Sequence, residues 1–428
     1  MGVNDQSPTS KLSLETFQDI FGKLEPGLVI DSYEEAQGSG RGDNYTATLY
    51  RIQLTGHRMG TSSAADDDED KQQKWEKSVI CKRLPENTAR REAYKSDKLF
   101  RNEVEFYTNL MPELIRYQRT KTDRTFQAIP KCYLARQDLL IMEDLRTRGF
   151  KMPDRKNGLS VDEVNSVLTE VATLHSLSLA YKFQNPKQFQ NLKEIITEGL
   201  FCSTNELWYK NYYEQLTNNA INMVSDVLPS DSKYVRAMKD FIGSPSFFTQ
   251  MIEIVHTESQ LSAICHGDCW ANNFLFKYNC NGDVQEVCLV DFQLIRYSSI
   301  ALDIANLLYC CTSKSMRDEH LCSFTKHYTT ELYKSLKVLC KLPEFLDTEE
   351  KLETLFATEL KSYGKFALGL ALDIIPISTC ASEDAPDLYL VSRTDSSSGA
   401  PELNFPPNDL CRQKMSDVLI DMVDGGMV

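Results

Sequence analysis

At 428 residues the chain is long enough for two lobes with cores of their own. Its composition, 42% hydrophobic and 25% charged, is ordinary for a soluble globular protein. The balance of 47 basic against 61 acidic residues, a net charge of −14, argues against a nucleic-acid backbone as the main partner. A local basic pocket for nucleotide phosphates remains compatible with it.

Residues 1–10 read as a frayed tail. Leu14, Phe17, Ile20, Phe21 and Leu24 share one helical face behind Ser13, a plausible cap, so a helix is expected over 12–24. The segment GSGRGDNY (38–45) follows, and TATLYRIQL then reads as a strand. Residues 56–76 are polar and include Asp66, Asp67, Asp68, Glu69 and Asp70, which predicts an exposed acidic loop, centred on 61–76, between two strands. SVICKRLP reads as the second strand, residues 97–110 as a helix, and Leu139 to Met142 as a short apolar strand.

Beyond residue 146 the helical period dominates. Ser160 to Tyr181 opens with SVDE, a capping-box pattern, and continues with Val164, Val167, Leu168, Val171 and Leu174 on one face. Helices are predicted at 204–225, 233–257, 301–312, 317–340, 349–372 and 408–423. One hairpin sits among them, with arms 274–276 and 284–290 around the Asn281-Gly282 turn. The organisation is a strand-rich lobe of about 145 residues followed by a helical lobe of about 280.

The thirteen cysteines are scattered without a CxxC pair, and adjacent Cys310 and Cys311 have poor metal-ligand spacing. Reduced thiols in a cytoplasmic protein are expected. The N-terminus lacks a basic region followed by an apolar run, so no signal peptide is expected. Gln6 stands where a myristoylation motif needs Ser or Thr. The apolar stretch 366–377 is broken by Asp373 and Pro376 and is too short to span a bilayer, so membrane insertion is not expected.

The chemistry concentrates in ICHGDCWANNFLF and VCLVDFQ. Asp268, Asn273 and Asp291 fall there with the spacing of a kinase catalytic loop and metal-binding loop. Phosphoryl transfer needs a carboxylate near the attacking hydroxyl and oxygen ligands for Mg²⁺. Asp268 could orient the hydroxyl and accept its proton, while Asn273 and Asp291 could hold the metal. A rival assignment makes His266, Asp268 and Asp291 a metallohydrolase site. It is disfavoured because no second histidine-rich cluster accompanies it, and His266 is expected to brace the loop.

Gly38, Gly40 and Gly42 alternate before a strand, where backbone N–H groups could approach phosphates; a plain turn would look the same. Their position ahead of two strands, the second carrying Lys82, favours the phosphate role. Lys82 lies among apolar neighbours, and Glu103 on the next helix is its expected partner, in preference to Glu105. Glu143-Asp144-Leu145 ends a strand at the lobe junction, where backbone groups of Glu143 and Leu145 could meet the adenine edge. Asp303 is expected to cap or brace a helix. Trp208, Tyr209, Tyr212 and Tyr213 form an aromatic cluster, either core packing or the wall of an apolar acceptor pocket.

Taken in order, GDNYTATLYRIQL, the Lys82 strand, FRNEVEFY, IMEDL, HGDCWANNFLF and VDFQ resemble the CHK-like or ecdysteroid kinase-like family of insects, related to choline kinases and aminoglycoside phosphotransferases. The resemblance covers roughly residues 15–420. Gln293 stands where protein kinases carry glycine, which favours this family over them. The resemblance implies an α+β, bilobal protein-kinase-like fold: a nucleotide-binding lobe over 1–145 and a catalytic and acceptor-binding lobe over 146–428. It implies ATP and Mg²⁺ as cofactors and phosphorylation of a hydroxyl on a small molecule. Ecdysteroids are the founding substrates, with xenobiotics suspected for other members. It casts Asp268 as base, Asn273 and Asp291 as metal ligands, and Lys82 as the phosphate contact. A pseudokinase that binds nucleotide or hormone without turnover is the alternative. The acceptor's identity and the oligomeric state are not written in these motifs.

Overall fold

The structure, a computed structural model, describes residues 12–38, 47–58, 73–86, 88–93, 95–206, 209–243, 245–380 and 407–428. Gly40, Gly42, Trp208, the run Asp66–Asp70 and most of the acidic loop lie outside the described residues.

Helix α1 (Leu14–Leu24) starts where the Ser13 side chain accepts the Thr16 N–H, and it turns Phe17 and Phe21 inward. Five strands follow: β1 (Leu28–Gln37), β2 (Thr48–Arg58), β3 (Gln73–Arg83), β4 (Cys132–Arg136) and β5 (Leu139–Glu143). They form one antiparallel sheet in the order β1-β2-β3-β5-β4. Strands β2 and β3 run further into the polar connection than the sequence suggests, because their pairing continues from Thr48↔Arg83 to Arg58↔Gln73. Strand β1 was not anticipated. Only Leu28 and Ile30 are buried in it, and its acidic residues face solvent at the sheet edge, so it lacks the alternation of a half-buried strand. Strand β4, also unanticipated, sits at the opposite edge.

Residues on alternate positions of the central strands serve two cores. Ile52, Leu54, Val79, Cys81 and Ile141 pack with Phe17 and Phe21 of α1. Leu140 and Met142 face the other way, onto Phe100 and Val104 of α2 (Ser96–Glu105). The predicted helix 97–110 therefore contains two segments. After Glu105 the chain makes a π-helical turn over Phe106–Leu110, then an α-helix over Met111–Arg119.

The second lobe is helical. Its central helix, α3 (Val161–Gln184), has the expected capping box: Ser160 Oγ accepts the Glu163 N–H and Glu163 accepts the Ser160 N–H. The helices α4 (Lys210–Val227), α5 (Ala301–Cys311), α6 (Lys314–Leu339) and α7 (Lys365–Thr379) follow: α6 and α5 pack against α3, while α7 packs on α5 and on α4. The predicted helix 204–225 is interrupted at Tyr209, and two others are each divided in two. One breaks after Gly243, where Ser246 caps a new helix over Phe247–His256. The other breaks at Gly364, where a side chain would lie 2.5 Å from the Leu360 carbonyl oxygen. No helix among the described residues is long and apolar enough to cross a membrane.

Two small ladders frame the chemistry-bearing loops. β6 (Ser262–Cys265) pairs with β9 (Arg296–Ser299), and β7 (Phe274–Tyr278) pairs with β8 (Val284–Leu289). The β7–β8 hairpin closes at Gly282, whose φ of +90° suits the glycine of this turn. The result is an α+β, bilobal, protein-kinase-like architecture, with a cleft between the sheet and the helices.

Candidate active site

The loop between β6 and β7 presents Asp268 and Asn273 together. Asn273 Nδ2 donates to Asp268 Oδ2 at 2.8 Å and to the Asp268 carbonyl at 2.9 Å. A side-chain amide has one oxygen and one NH₂, so this leaves Asn273 Oδ1 to a ligand. Burial and the neighbouring Asp291 charge push the Asp268 carboxyl up to about 7, against the Asn273 hydrogen bond, the Arg296 charge and Trp270.

The turn before Asp268 is tight. Gly267 has φ +85°, and a Cβ there would stand 1.8 Å from the Leu294 carbonyl oxygen. This joins the loop to the segment after β8, which carries Asp291. Asp291 itself has φ +67°, a left-handed conformation that aspartate tolerates better than most residues and that recurs at functional sites. His266 ties the two segments: its Nε2 reaches the Val290 carbonyl at 3.0 Å, and its Nδ1 accepts the Asp268 N–H at 3.3 Å. A ring that donates from Nε2 and accepts at Nδ1 is neutral, and burial lowers its proton affinity accordingly. Both nitrogens are committed, which removes His266 from the metallohydrolase arrangement.

Lys82, on β3, reaches into the cleft from the other lobe. Its Nζ lies 2.5 Å from Glu103 Oε2 on α2 and 2.7 Å from Asp291 Oδ1. An ammonium between two carboxylates stays charged despite burial, which by itself would lower its pKa; the net shift is upward. Burial pushes the Glu103 carboxyl up to about 7 while the Lys82 charge opposes it. The ion pair is the arrangement that the hydrogen-bond geometry supports. Glu103 Oε1 is buried and makes no full hydrogen bond, although the Phe292 backbone N–H also favours the charged carboxylate. Glu105 instead accepts from Asn109 Nδ2. Phe106, at the start of the π turn, stacks on Phe292 with ring centroids 3.7 Å apart, so α2 and the Asp291 segment are packed together.

The cleft between the lobes is a cavity of about 220 Å³, lined among others by Gly38, Lys82, Glu143, Leu145, Asn273 and Asp291. Gly38 lies against the backbone of Leu49, 3.1 Å from where its Cβ would be, and its N–H binds the Leu49 carbonyl. At the lobe junction Asp144 is structural: its carboxylate accepts from Arg51 Nε at 2.8 Å, Ser78 Oγ at 2.7 Å and the Arg146 N–H at 3.2 Å. Leu145 begins a short helical turn, so its N–H has no intrahelical acceptor, and the residue lines the cleft. Asn273 Oδ1 and Asp291 Oδ2 carry no hydrogen bond among the described residues, both residues line the cleft, and a neutral oxygen and a carboxylate oxygen are ligand types that suit a hard divalent cation.

Sequence reasoning underweighted Asp303. It lies in the first turn of α5, yet its carboxylate accepts the backbone N–H groups of His266 and Gly267 at 2.7 and 2.9 Å. His175 Nε2, from α3, meets the same carboxylate at 3.2 Å, and Nδ1 meets Tyr328 Oη at 2.7 Å. His175, Cys265 and Asp303 stand close enough to share a metal ion. The histidine nitrogens and both Asp303 oxygens are engaged with the protein, so the group is a brace. A buried Arg296–Glu198 pair, 2.9 Å, supports the loop from the other side, with Arg296 Nη1 3.2 Å from the Gly267 carbonyl. No local sequence pattern marks these partners, because they are 29 to 128 residues from what they hold.

Among solved structures, a Plasmodium vivax ethanolamine kinase is similar at 12% identity over 96% of this chain and 88% of that chain, with a TM-score of 0.42. The streptomycin–ATP ternary complex of APH(2″)-IIa is similar at 12% identity over 86% and 91%, TM-score 0.29. A putative fructosamine-3-kinase from Thermobifida fusca is similar at 14% identity over 84% and 100%, TM-score 0.29. No curated protein sequence matches the chain. The model of the ecdysteroid kinase-like family matches residues 41–341, which span the Lys82 strand, the Asp268 loop and the Asp291 segment, and the chain belongs to that family.

Proposed function

We propose that this protein is an ATP-dependent kinase that phosphorylates a hydroxyl of a small, largely apolar acceptor, an ecdysteroid or a related lipophilic alcohol or xenobiotic. The observation that carries the proposal is the meeting of both lobes at Lys82, which contacts Glu103 and Asp291, with Asn273 of the same cleft hydrogen-bonded to Asp268. Family membership supports the reaction class.

In this reading residues 1–145 hold the nucleotide and residues 146–428 hold the acceptor and the chemistry. Gly38, and with it Gly40 and Gly42, approach the phosphates. The backbone at Glu143 and Leu145 meets the adenine edge, and Lys82, held by Glu103, contacts the α- and β-phosphates. Asn273 and Asp291 hold Mg²⁺, which when bound neutralises charge on the phosphate oxygens. Asp268 orients the acceptor hydroxyl and takes its proton as the oxygen bonds to the γ-phosphorus and the bond to the ADP oxygen breaks. A carboxyl with a proton affinity near neutrality is suited to that transfer. Positioning and electrostatics supply most of the rate. Thirteen free cysteines fit a cytoplasmic setting.

The test is mass-spectrometric detection of phosphorylated product after incubation with Mg-ATP and a panel of ecdysteroids and other lipophilic alcohols. Asp268→Asn should lose turnover by 10²-fold or more, on the order of a general base's contribution, and retain Mg-ATP binding. Near wild-type turnover in Asp268→Asn would overturn the role of Asp268. Mg-ATP binding by the wild type without any product would favour the pseudokinase.

A further inference from the structure

The helical lobe holds a second cavity, of about 430 Å³, lined among others by Glu206, Tyr213, Glu214, Thr217, Phe247 and Phe248. No residue lines both it and the cleft around Lys82 and Asp291. Its volume is in the range of sites that enclose small organic molecules.

Three chain segments meet here. The turn Ser203–Glu206 supplies Glu206, α4 supplies Tyr213, Glu214 and Thr217, and the helix Phe247–His256 opens with the two phenylalanines. Tyr213 packs on both of them, with ring centroids 5.0 Å from Phe247 and 4.9 Å from Phe248. The three rings form one aromatic wall. Glu206 and Glu214 are the charged residues among the described lining, and both are acidic.

Two polar atoms of this lining are left without a protein partner. Tyr212 spends its hydroxyl on Asp373 Oδ1 at 2.7 Å, but the hydroxyl of Tyr213 makes no hydrogen bond among the described residues. Tyr213 keeps only 9% of its surface, yet that hydroxyl is not sealed from solvent. A phenol so buried ordinarily finds a partner. Burial, with the Asp373 charge adding to it, pushes its pKa well above the usual value, so the phenol keeps its proton. Glu206 Oε1 accepts from Thr249 Oγ1 at 2.8 Å and from Ser246 Oγ at 3.4 Å, which ties the carboxylate to the first turn of the helix Phe247–His256. Oε2 makes no hydrogen bond among the described residues and is open to solvent. The structural role of Glu206 therefore uses one oxygen and leaves the other for a ligand.

A buried layer stands between this wall and the Asp268 loop. Phe248 packs on Phe201 at 5.4 Å, Phe201 on Phe366 at 5.7 Å, and Phe366 lies under the Arg296 guanidinium at 5.2 Å. Arg296 Nη1 then donates to the Gly267 carbonyl. Phe201, Phe366 and Arg296 are 1%, 1% and 2% exposed, so no passage opens along this line.

We propose that this cavity is a binding site, apart from the catalytic cleft, for a small organic cation: a primary ammonium group on an apolar, aromatic-sized body. The ammonium donates to Glu206 Oε2 and to the Tyr213 hydroxyl oxygen, and its body lies against Phe247 and Phe248. A carboxylate oxygen gives a charge-assisted hydrogen bond, and the ring faces favour a cation beside them. A neutral isostere forfeits both, and an anion is repelled by Glu206 and Glu214.

The experiment uses the full chain and titrates phenethylammonium, its neutral isostere 2-phenylethanol and the anion 3-phenylpropionate by calorimetry, with and without Mg-ATP. Phenethylammonium should bind saturably, at least about tenfold more tightly than the other two, and equally well in the presence of Mg-ATP. Glu206→Gln keeps an oxygen for Thr249 and should weaken the ammonium at least about tenfold; Tyr213→Phe should weaken it about threefold or more. Asp268→Asn should bind it as the wild type does. A thermal melt of each variant reports that the fold is kept, and should Tyr213→Phe not fold, Glu206→Gln decides. Equal affinity for phenethylammonium and 2-phenylethanol overturns the proposal, as does unchanged affinity in Glu206→Gln or no saturable binding by the wild type. Displacement by Mg-ATP, or loss of binding in Asp268→Asn, would place the cation in the catalytic cleft and overturn the separate site.

Discussion

The carboxylate of Asp303 holds the backbone of Gly267, with Oδ1 accepting its N–H at 2.9 Å. Oδ2 takes the His266 N–H and His175 as well, so one side chain satisfies three buried donors. Burial alone would raise this carboxyl; the His175 hydrogen bond and the loop N–H groups hold it below the usual range. Asp303→Ala should cost about 3–5 kcal/mol, since breaking a buried charged network leaves its partners unpaired. Urea unfolding measures the loss, and kcat should fall with it because the Asp268 loop is no longer held.

Gly267→Ala is expected to be the most damaging single methyl group in the site. The residue is left-handed, and the added carbon would meet the Leu294 carbonyl oxygen at 1.8 Å. Left-handed strain alone costs about 1–3 kcal/mol, and relieving the clash must move the Asp268 loop against the Asp291 segment. Thermal unfolding and turnover should fall together. A variant with wild-type Tm and activity would contradict the geometry.

Lys82→Met separates two roles. It leaves Glu103 and Asp291 facing each other without the cation between them, which should destabilise the fold by roughly 3–5 kcal/mol. It should also weaken Mg-ATP binding at least tenfold in a fluorescence titration. Glu103→Gln keeps the shape and one partner of Lys82, Asp291, so its stability loss should be smaller and its effect should lie mainly in turnover.

Asp373 gives a pH signature. Its carboxyl sits near 6 in the folded protein, above an unfolded value near 4, because it is buried. A raised carboxyl binds its proton more tightly when folded. The stabilisation is complete below about pH 4 and is lost as pH rises through 6. At pH 8 the ionised group costs at most about 3 kcal/mol, and asparagine carries no such cost. Asp373→Asn should therefore raise Tm at pH 8 and change it little at pH 4. Calorimetric melting at the two pH values tests this.

How much of this was legible in the sequence follows from how far each interaction reaches. The capping box at Ser160 and Glu163, the Asn281-Gly282 turn and the helix face of Phe17 and Phe21 are local, set by side chains within one turn of the backbone they serve. They were read in advance. So was the grouping of Asp268, Asn273 and Asp291, because one hairpin fixes their spacing. Strand β1 was not legible, since its acidic outer face hides the alternation of a half-buried strand. The breaks at Gly243 and Gly364 lie within continuous helical periods, and only packing reveals them.

What the sequence by itself determined is the family, the succession of a strand-rich part by a helical part, and the chemical types available for phosphoryl transfer. Tertiary structure decided which groups meet. It set Lys82 against Glu103, the partner already expected from the sequence, and brought Lys82 to Asp291 across 209 positions. It turned Asp303 back onto the loop and set Tyr212 against Asp373 across 161 positions. Contacts at such separations leave no local pattern, because the residues between them set the approach through packing rather than through spacing.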